Sequence, residues 1–133
     1  MKHSFPPVID ERTRVLVLGS MPGEESLRKQ EYYAHPQNAF WRIMEELLET
    51  PLTKMPYPTR TRALLREGIG LWDVYRACER EGSSDGAIRK PQRNPLRDML
   101  TMHPRVERVV CNGRTAHKEA LSLLAGTGVE VLL

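Results

Sequence analysis

Two short stretches concentrate the residues that could do chemistry. Residues 32–44, "YYAHPQNAFWRIM", hold four of the chain's eight Phe, Tyr and Trp residues. Aromatics at that density build a core, a partner surface or a pocket for something flat. Phe40, Trp41, Met44, Leu47 and Leu48 recur at helical spacing, so Phe40 and Trp41 are expected in a core. Tyr32, Tyr33, His35 and Asn38 precede that helix and are expected to face a site. The second stretch is "GSMPGEES", residues 19–26. It lacks the Gly-Lys-Ser/Thr ending of a triphosphate loop. The backbone from Ser20 through Met21 and Pro22 to Gly23 can either form a tight strand-to-helix turn or cradle a carbonyl or phosphate oxygen with its amides.

Three further positions are candidates. His35 suits a general acid, a phosphate contact or a loop-anchoring hydrogen bond. Asp73 ends an apolar run, where it would bond the neighbouring loop or contact substrate. Asn112-Gly113 is either a simple turn or a place where an amide and the next helix meet a phosphate. Arg89, Lys90 and Arg93 read as a basic loop, solvated or holding phosphates. No Ser-His-Asp arrangement is visible, and His3, His35, His103 and His117 are scattered without metal-ligand spacing.

The elements that must position these residues alternate. "RVLVLG", Arg14 to Gly19, is an unbroken apolar run of the kind covered on both faces of a sheet. "NAFWRIMEELLET" predicts a helix with Asn38 as N-cap. "TRTRALLREG" predicts another that stops at Gly68, and "IGLWDVY" a second strand. "EREGSSDGAIRKPQRNP" reads as a polar loop. "NPLRDMLTMHP" predicts a short helix capped by Asn94, with Pro95 at its first position. "RVERVVCNG" is a third strand, "RTAHKEALSLLAG" a helix ended by Gly126, and "GVEVLL" a fourth strand. Strand–helix alternation predicts an α/β sandwich, three layers deep, around a mainly parallel four-stranded sheet. In such sheets ligands bind beyond the carboxyl ends of the strands. Here those ends carry "GSMPG", "WDVY" and "CNGR", and "YYAHPQN" belongs to the same edge.

Composition excludes several classes. At 133 residues the chain fits a single domain, 1–133. A net charge of +3 permits a polyanionic partner without demanding one. Cys78 and Cys111 cannot supply the four thiolates of an iron–sulfur cluster and read as reduced thiols of an intracellular protein. No apolar run approaches a membrane span, and "MKHSFPPVIDERTR" lacks a signal-peptide core. The expectation is a cytoplasmic, nucleoid-associated monomer without metal or cofactor. The chain stops inside the apolar run of its last predicted strand, so a further C-terminal piece is expected.

Gly19-Ser20-Met21-Pro22-Gly23, then Ser26-Leu27, then "QEYYAHPQNAFW", resembles the uracil-DNA glycosylase superfamily, most closely its DNA-deoxyinosine (hypoxanthine-DNA) glycosylase branch. The mismatch-specific uracil/thymine-DNA glycosylases share the plan Gly-x-x-Pro-Gly followed by Ala-His-Pro-x-Asn-x-Phe-Trp. "GLWDVYRACEREGSSDGAI" and "VVCNGRTA" extend the likeness over residues 14 to about 118. Two departures stand out. Met21 occupies the place of the mismatch-specific branch's catalytic Asn, whereas Asn38 matches the Asn proposed as catalytic in the deoxyinosine branch. The family's second motif, a Ser/Pro-rich loop after the fourth strand that presses into DNA, lies beyond Leu133.

The resemblance implies a DNA-repair glycosylase that flips a deaminated base, hypoxanthine or uracil, out of DNA and hydrolyses its N-glycosidic bond. Tyr33 would stack on the base, the backbone of Ser20, Met21, Pro22 and Gly23 would read its edge, and Asn38 would orient water. His35 and Asp73 would support the site. Arg89, Lys90, Arg93, Asn112 and Gly113 would hold phosphates. A non-catalytic nucleic-acid-binding relative of the same fold is the alternative, and an unrelated nucleotide-binding α/β domain is a third reading.

Overall fold

A computed structural model describes every residue, Met1–Leu133. Seven strands and five helices follow one another. They are β1 (Lys2–His3), β2 (Val15–Gly19), α1 (Glu24–Lys29), α2 (Phe40–Leu48), α3 (Tyr57–Arg66), β3 (Ile69–Asp73), β4 (Tyr75–Glu79), β5 (Arg89–Arg93), α4 (Leu96–Met102), β6 (Arg108–Cys111), α5 (Arg114–Leu123) and β7 (Glu130–Leu132).

The main sheet has the order β3-β2-β6-β7 and is parallel throughout. Period-two alternation sends the two halves of each apolar run to opposite faces. Leu16 and Leu18 of β2 join Trp72, Val109 and Cys111 on one face, under Leu96 of α4 and Ala116 and Ala120 of α5. Val17 and Leu71 face the other way, against Trp41 and Met44 of α2 and Leu64 of α3. Helices therefore cover both faces, as strand–helix alternation predicts. Gly68 ends the segment after α3 at φ +78°, a backbone that glycine adopts without strain, and β3 starts at the next residue.

Two expectations are overturned. The segment expected to be a polar loop, residues 79–95, is mostly a hairpin: β5 pairs antiparallel with β4, and β1 adds to the far side of β4 to make a second sheet, β1-β4-β5. Arg89, Lys90 and Arg93 are thus strand residues and not a basic loop. "RKPQR" has no apolar alternation, so nothing local marks it as a strand. Pro91 is tolerated because β5 is an edge, and the register shifts beside Lys90, whose φ is +49°, take up the irregularity as a bulge. The second correction concerns Asn94. It does not cap α4, which makes no side-chain cap bond. Its buried Nδ2 donates to the Asp73 carbonyl at 2.8 Å instead, tying the start of α4 to the end of β3.

Candidate active site

The carboxyl ends of β2, β3 and β6 meet at one edge, where Gly19, Asp73 and Asn112 line a pocket of about 330 Å³ with the "GSMPG" loop and the segment 32–38. That volume holds one nucleobase with room for a water.

The segment before α2 is held by its own aromatic neighbours. Tyr32 N–H donates to the Tyr57 hydroxyl at 3.0 Å, and Tyr32 carbonyl accepts from Trp41 Nε1 at 2.9 Å. Ala34 N–H donates to the buried Ser26 hydroxyl. Tyr32 itself is buried in the core beneath the pocket, with its hydroxyl unpartnered. It is both core and pocket floor. Tyr33 sits at φ +56° with its ring stacked on Phe40, centroids 4.0 Å apart and planes 21° from parallel. Phe40, expected in the core, is only half-buried and serves as the backing of Tyr33. His35 is exposed, and its Nδ1 accepts the Gln37 N–H at 3.1 Å, the loop-anchoring bond among its expected roles. Asn38 is exposed at the pocket mouth. Its Oδ1 accepts the Phe40 N–H at 2.9 Å in an Asx-type turn, one residue ahead of Ala39, which is the N-cap of α2 in place of the expected Asn38, and its amide group stays free.

The "GSMPG" loop divides its backbone. The carbonyls of Gly19, Ser20 and Pro22 are taken by Val74 N–H, Tyr75 N–H and the Arg80 guanidinium. The amides of Ser20, Met21 and Gly23 have no acceptor within the chain. A cluster of such donors favours a negative or strongly polarised oxygen. The Met21 side chain packs in the core, so of this residue only the backbone is presented to a base.

Asp73 is 3 % exposed, and its Oδ2 has no partner. Burial pushes its carboxyl up to about 8, helped by Asp85 and opposed by Arg80. Burial also raises the Tyr33 hydroxyl, with the nearby Asp73 adding to it. Asn112 lines the pocket, and Gly113 opens α5 at φ +110°. The basic residues of β5 each make local contacts. Arg89 donates to the Gly86 and Ile88 carbonyls, Lys90 lies 3.7 Å from Glu79, and Arg93 pairs with Glu119.

Sequence reasoning missed the turn of the hairpin. Asp85 accepts the Ser20 hydroxyl at 2.5 Å, Ser83 Oγ accepts the Glu24 N–H at 2.9 Å, and Arg80 is 6 % exposed behind the loop. The clustered "GSSDG" is a turn signal, but only the folded hairpin carries it to the pocket.

An α/β sandwich with a nucleobase-sized pocket at the carboxyl ends of its parallel strands, fronted by an aromatic ring and free amides, is the architecture of a base-binding domain. The uracil DNA glycosylase superfamily model matches residues 6–132, and the chain belongs to that superfamily. It is 41% identical over 133 residues to a hypoxanthine DNA glycosylase of Methanosarcina barkeri, covering 99% of this chain and 84% of that protein. It is 42% identical over 130 residues to a protein of the same name from Methanosarcina acetivorans, covering 98% and 82%. A solution NMR structure from Methanosarcina acetivorans, described as a candidate uracil DNA glycosylase, superposes with a TM-score of 0.89 at 40% identity, over 99% of this chain and 81% of that one.

Proposed function

We propose that the chain is a DNA glycosylase that hydrolyses the N-glycosidic bond of a deaminated base, hypoxanthine foremost, after the base leaves the stack. Membership of the superfamily and kinship with two hypoxanthine DNA glycosylases support it. The observation that carries it to this site is the pairing of Asn38 with Tyr33 across one nucleobase-sized pocket. Extrusion costs a few kcal/mol, which stacking on Tyr33 offsets. Bond breaking leaves oxocarbenium character on the sugar and negative charge on the base. The free amides of Ser20, Met21 and Gly23 answer the second. Asn38 answers the first: with Oδ1 fixed by Phe40 N–H, its carboxamide has one orientation in which to hold a water against the anomeric carbon. A carboxamide is too weak a base to take the proton, so its part is placement. His35 keeps the loop in shape, and Asn112 with Gly113, at the start of α5, is assigned to a flanking phosphate. Arg89 and Lys90, exposed on β5, are further phosphate contacts.

The test is release of free hypoxanthine from a single-stranded deoxyinosine oligonucleotide. The wild-type chain releases it under single-turnover conditions, and Asn38→Ala, folded as judged by circular dichroism, is slower by about a hundredfold. Near-normal release by the variant would remove Asn38 from the mechanism. No release by the wild type, with binding retained, would make the chain a binding relative.

A further inference from the structure

Arg80, the residue after β4, is the one buried cation of the chain, 6 % exposed. It takes part in none of the ion pairs. Its Nη2 donates to the Pro22 carbonyl, and its Nε and Nη1 are buried without a partner. Asp73, the one buried acid, does not offset this charge at neutral pH, because burial pushes its carboxyl up to about 8. A charge held away from water and from a counter-ion is destabilising, and breaches of that kind collect at functional sites.

The contact that Arg80 does make shows how its charge reaches the pocket. The Pro22 carbonyl and the Gly23 N–H belong to one peptide unit, which is trans, so the two groups point in opposite directions. Pro22 and Gly23 line the pocket and Arg80 does not. The Gly23 N–H, turned away from Arg80, has no acceptor within the chain. The same construction repeats along the loop. The Gly19 and Ser20 carbonyls are tied to the Val74 and Tyr75 N–H groups, which leaves the Ser20 and Met21 amides on the opposite side. Neutral amides hold those two peptides, and a cation holds the third. Packing fixes the third as well: a Cβ on Gly23 would lie 3.3 Å from Ser83 Oγ, the atom that accepts the Glu24 N–H.

We propose that Arg80 is a positioning residue for base release: it fixes and polarises the Pro22–Gly23 peptide, so that the Gly23 amide stabilises the negative charge growing on the departing base. This rests on the glycosylase reading of the pocket. A cation on the carbonyl oxygen draws electron density from the peptide nitrogen and makes its N–H a stronger donor. The bound base is neutral and gains little from that. When the C1′–N bond breaks, the electron pair leaves with the base. The Gly23 hydrogen bond and the field of the guanidinium behind it then both strengthen. Water adds its oxygen to C1′ and sheds a proton to solvent, the base takes one up from solvent, and Arg80 keeps its protons. The buried charge is complemented only as the base departs, which lowers the barrier without tightening substrate binding.

The experiment compares single-turnover release of hypoxanthine and of 2-fluorohypoxanthine, a more acidic and so better leaving base, from single-stranded DNA. The enzymes are wild type, Arg80→Met and Arg80→Gln. Arg80→Met, folded as judged by circular dichroism, releases hypoxanthine about a hundredfold more slowly than wild type, and 2-fluorohypoxanthine only about tenfold more slowly. Its dissociation constant for deoxyinosine DNA, read by fluorescence anisotropy, stays within about threefold of wild type, since the charge has not yet formed. Arg80→Gln removes the charge and keeps an N–H donor. It shows the same difference between the two bases, and decides should Arg80→Met not fold. Wild-type rates from Arg80→Met, equal losses on the two bases, or binding lost in proportion to rate overturn the inference and leave the glycosylase reading intact. A wild type that releases neither base overturns both.

Discussion

Tyr33 occupies a left-handed backbone conformation that costs a non-glycine residue about 1–2 kcal/mol, and the residue is held there by the stack on Phe40. That arrangement presents a preformed aromatic surface before any ligand arrives. Tyr33→Ala is expected to weaken binding of deoxyinosine-containing DNA by about 1–3 kcal/mol, and of undamaged DNA by much less, because only a flipped base reaches the ring. Fluorescence anisotropy on the two DNAs checks it, and equal losses would reduce Tyr33 to a loop support. Asp73 makes a second prediction, on stability. Its carboxyl is raised from 3.8 to about 8 in the folded chain, so the native state holds a proton that the unfolded state gives up. Native stability from this group is complete below pH 4 or so, falls as pH rises towards 8, and is level above it. Asp73→Asn cannot ionise. It should gain on wild type by up to several kcal/mol between about pH 5 and about pH 9, read from urea midpoints. A constant difference across that window would mean the carboxyl is not buried neutral.

The β4–β5 hairpin is the element that decides the site's electrostatics. Its turn brings Asp85 against Ser20, and its first strand delivers Arg80 to the Pro22 carbonyl. One charge raises the Asp73 carboxyl and the other lowers it. Asp85→Asn keeps an acceptor for the Ser20 hydroxyl and deletes the negative charge, so the Asp73 carboxyl ionises more readily. The pH above which native stability levels off in urea titrations is expected to move to lower values, by less than about one unit for a charge partly screened by solvent. A shift to higher pH would contradict the placement of the hairpin charge beside Asp73.

At the scale of the whole molecule, three parallel strands deliver Gly19, Asp73 and Asn112 to one edge. The chain carries only a mild positive excess, +3, and several arginines are already paired with carboxylates. Affinity for single-stranded DNA is therefore expected to depend weakly on salt, with a log–log slope of about −2 from a few phosphate contacts. Titration at several salt concentrations measures it. A slope steeper than about −5 would require a broad cationic surface.

The local pattern determined the sandwich and the strand ends that meet. β2 is legible because Val15 to Leu18 are apolar on both faces, and α2 because Trp41 and Met44 repeat at helical spacing. The resemblance in "YYAHPQNAFW" singled out Tyr33 and Asn38, and both line the pocket. Tertiary structure decided the rest, since burial and pairing are properties of neighbours distant in sequence. "RKPQR" is a strand only because β4 lies beside it. Asn94 has the residue type of a helix cap, yet the nearby Asp73 carbonyl claims its amide. Asp73 reads as any acid in the sequence. It becomes a protonated one because Gly19, Tyr32 and Tyr33 close around it and exclude the water that would stabilise its charge.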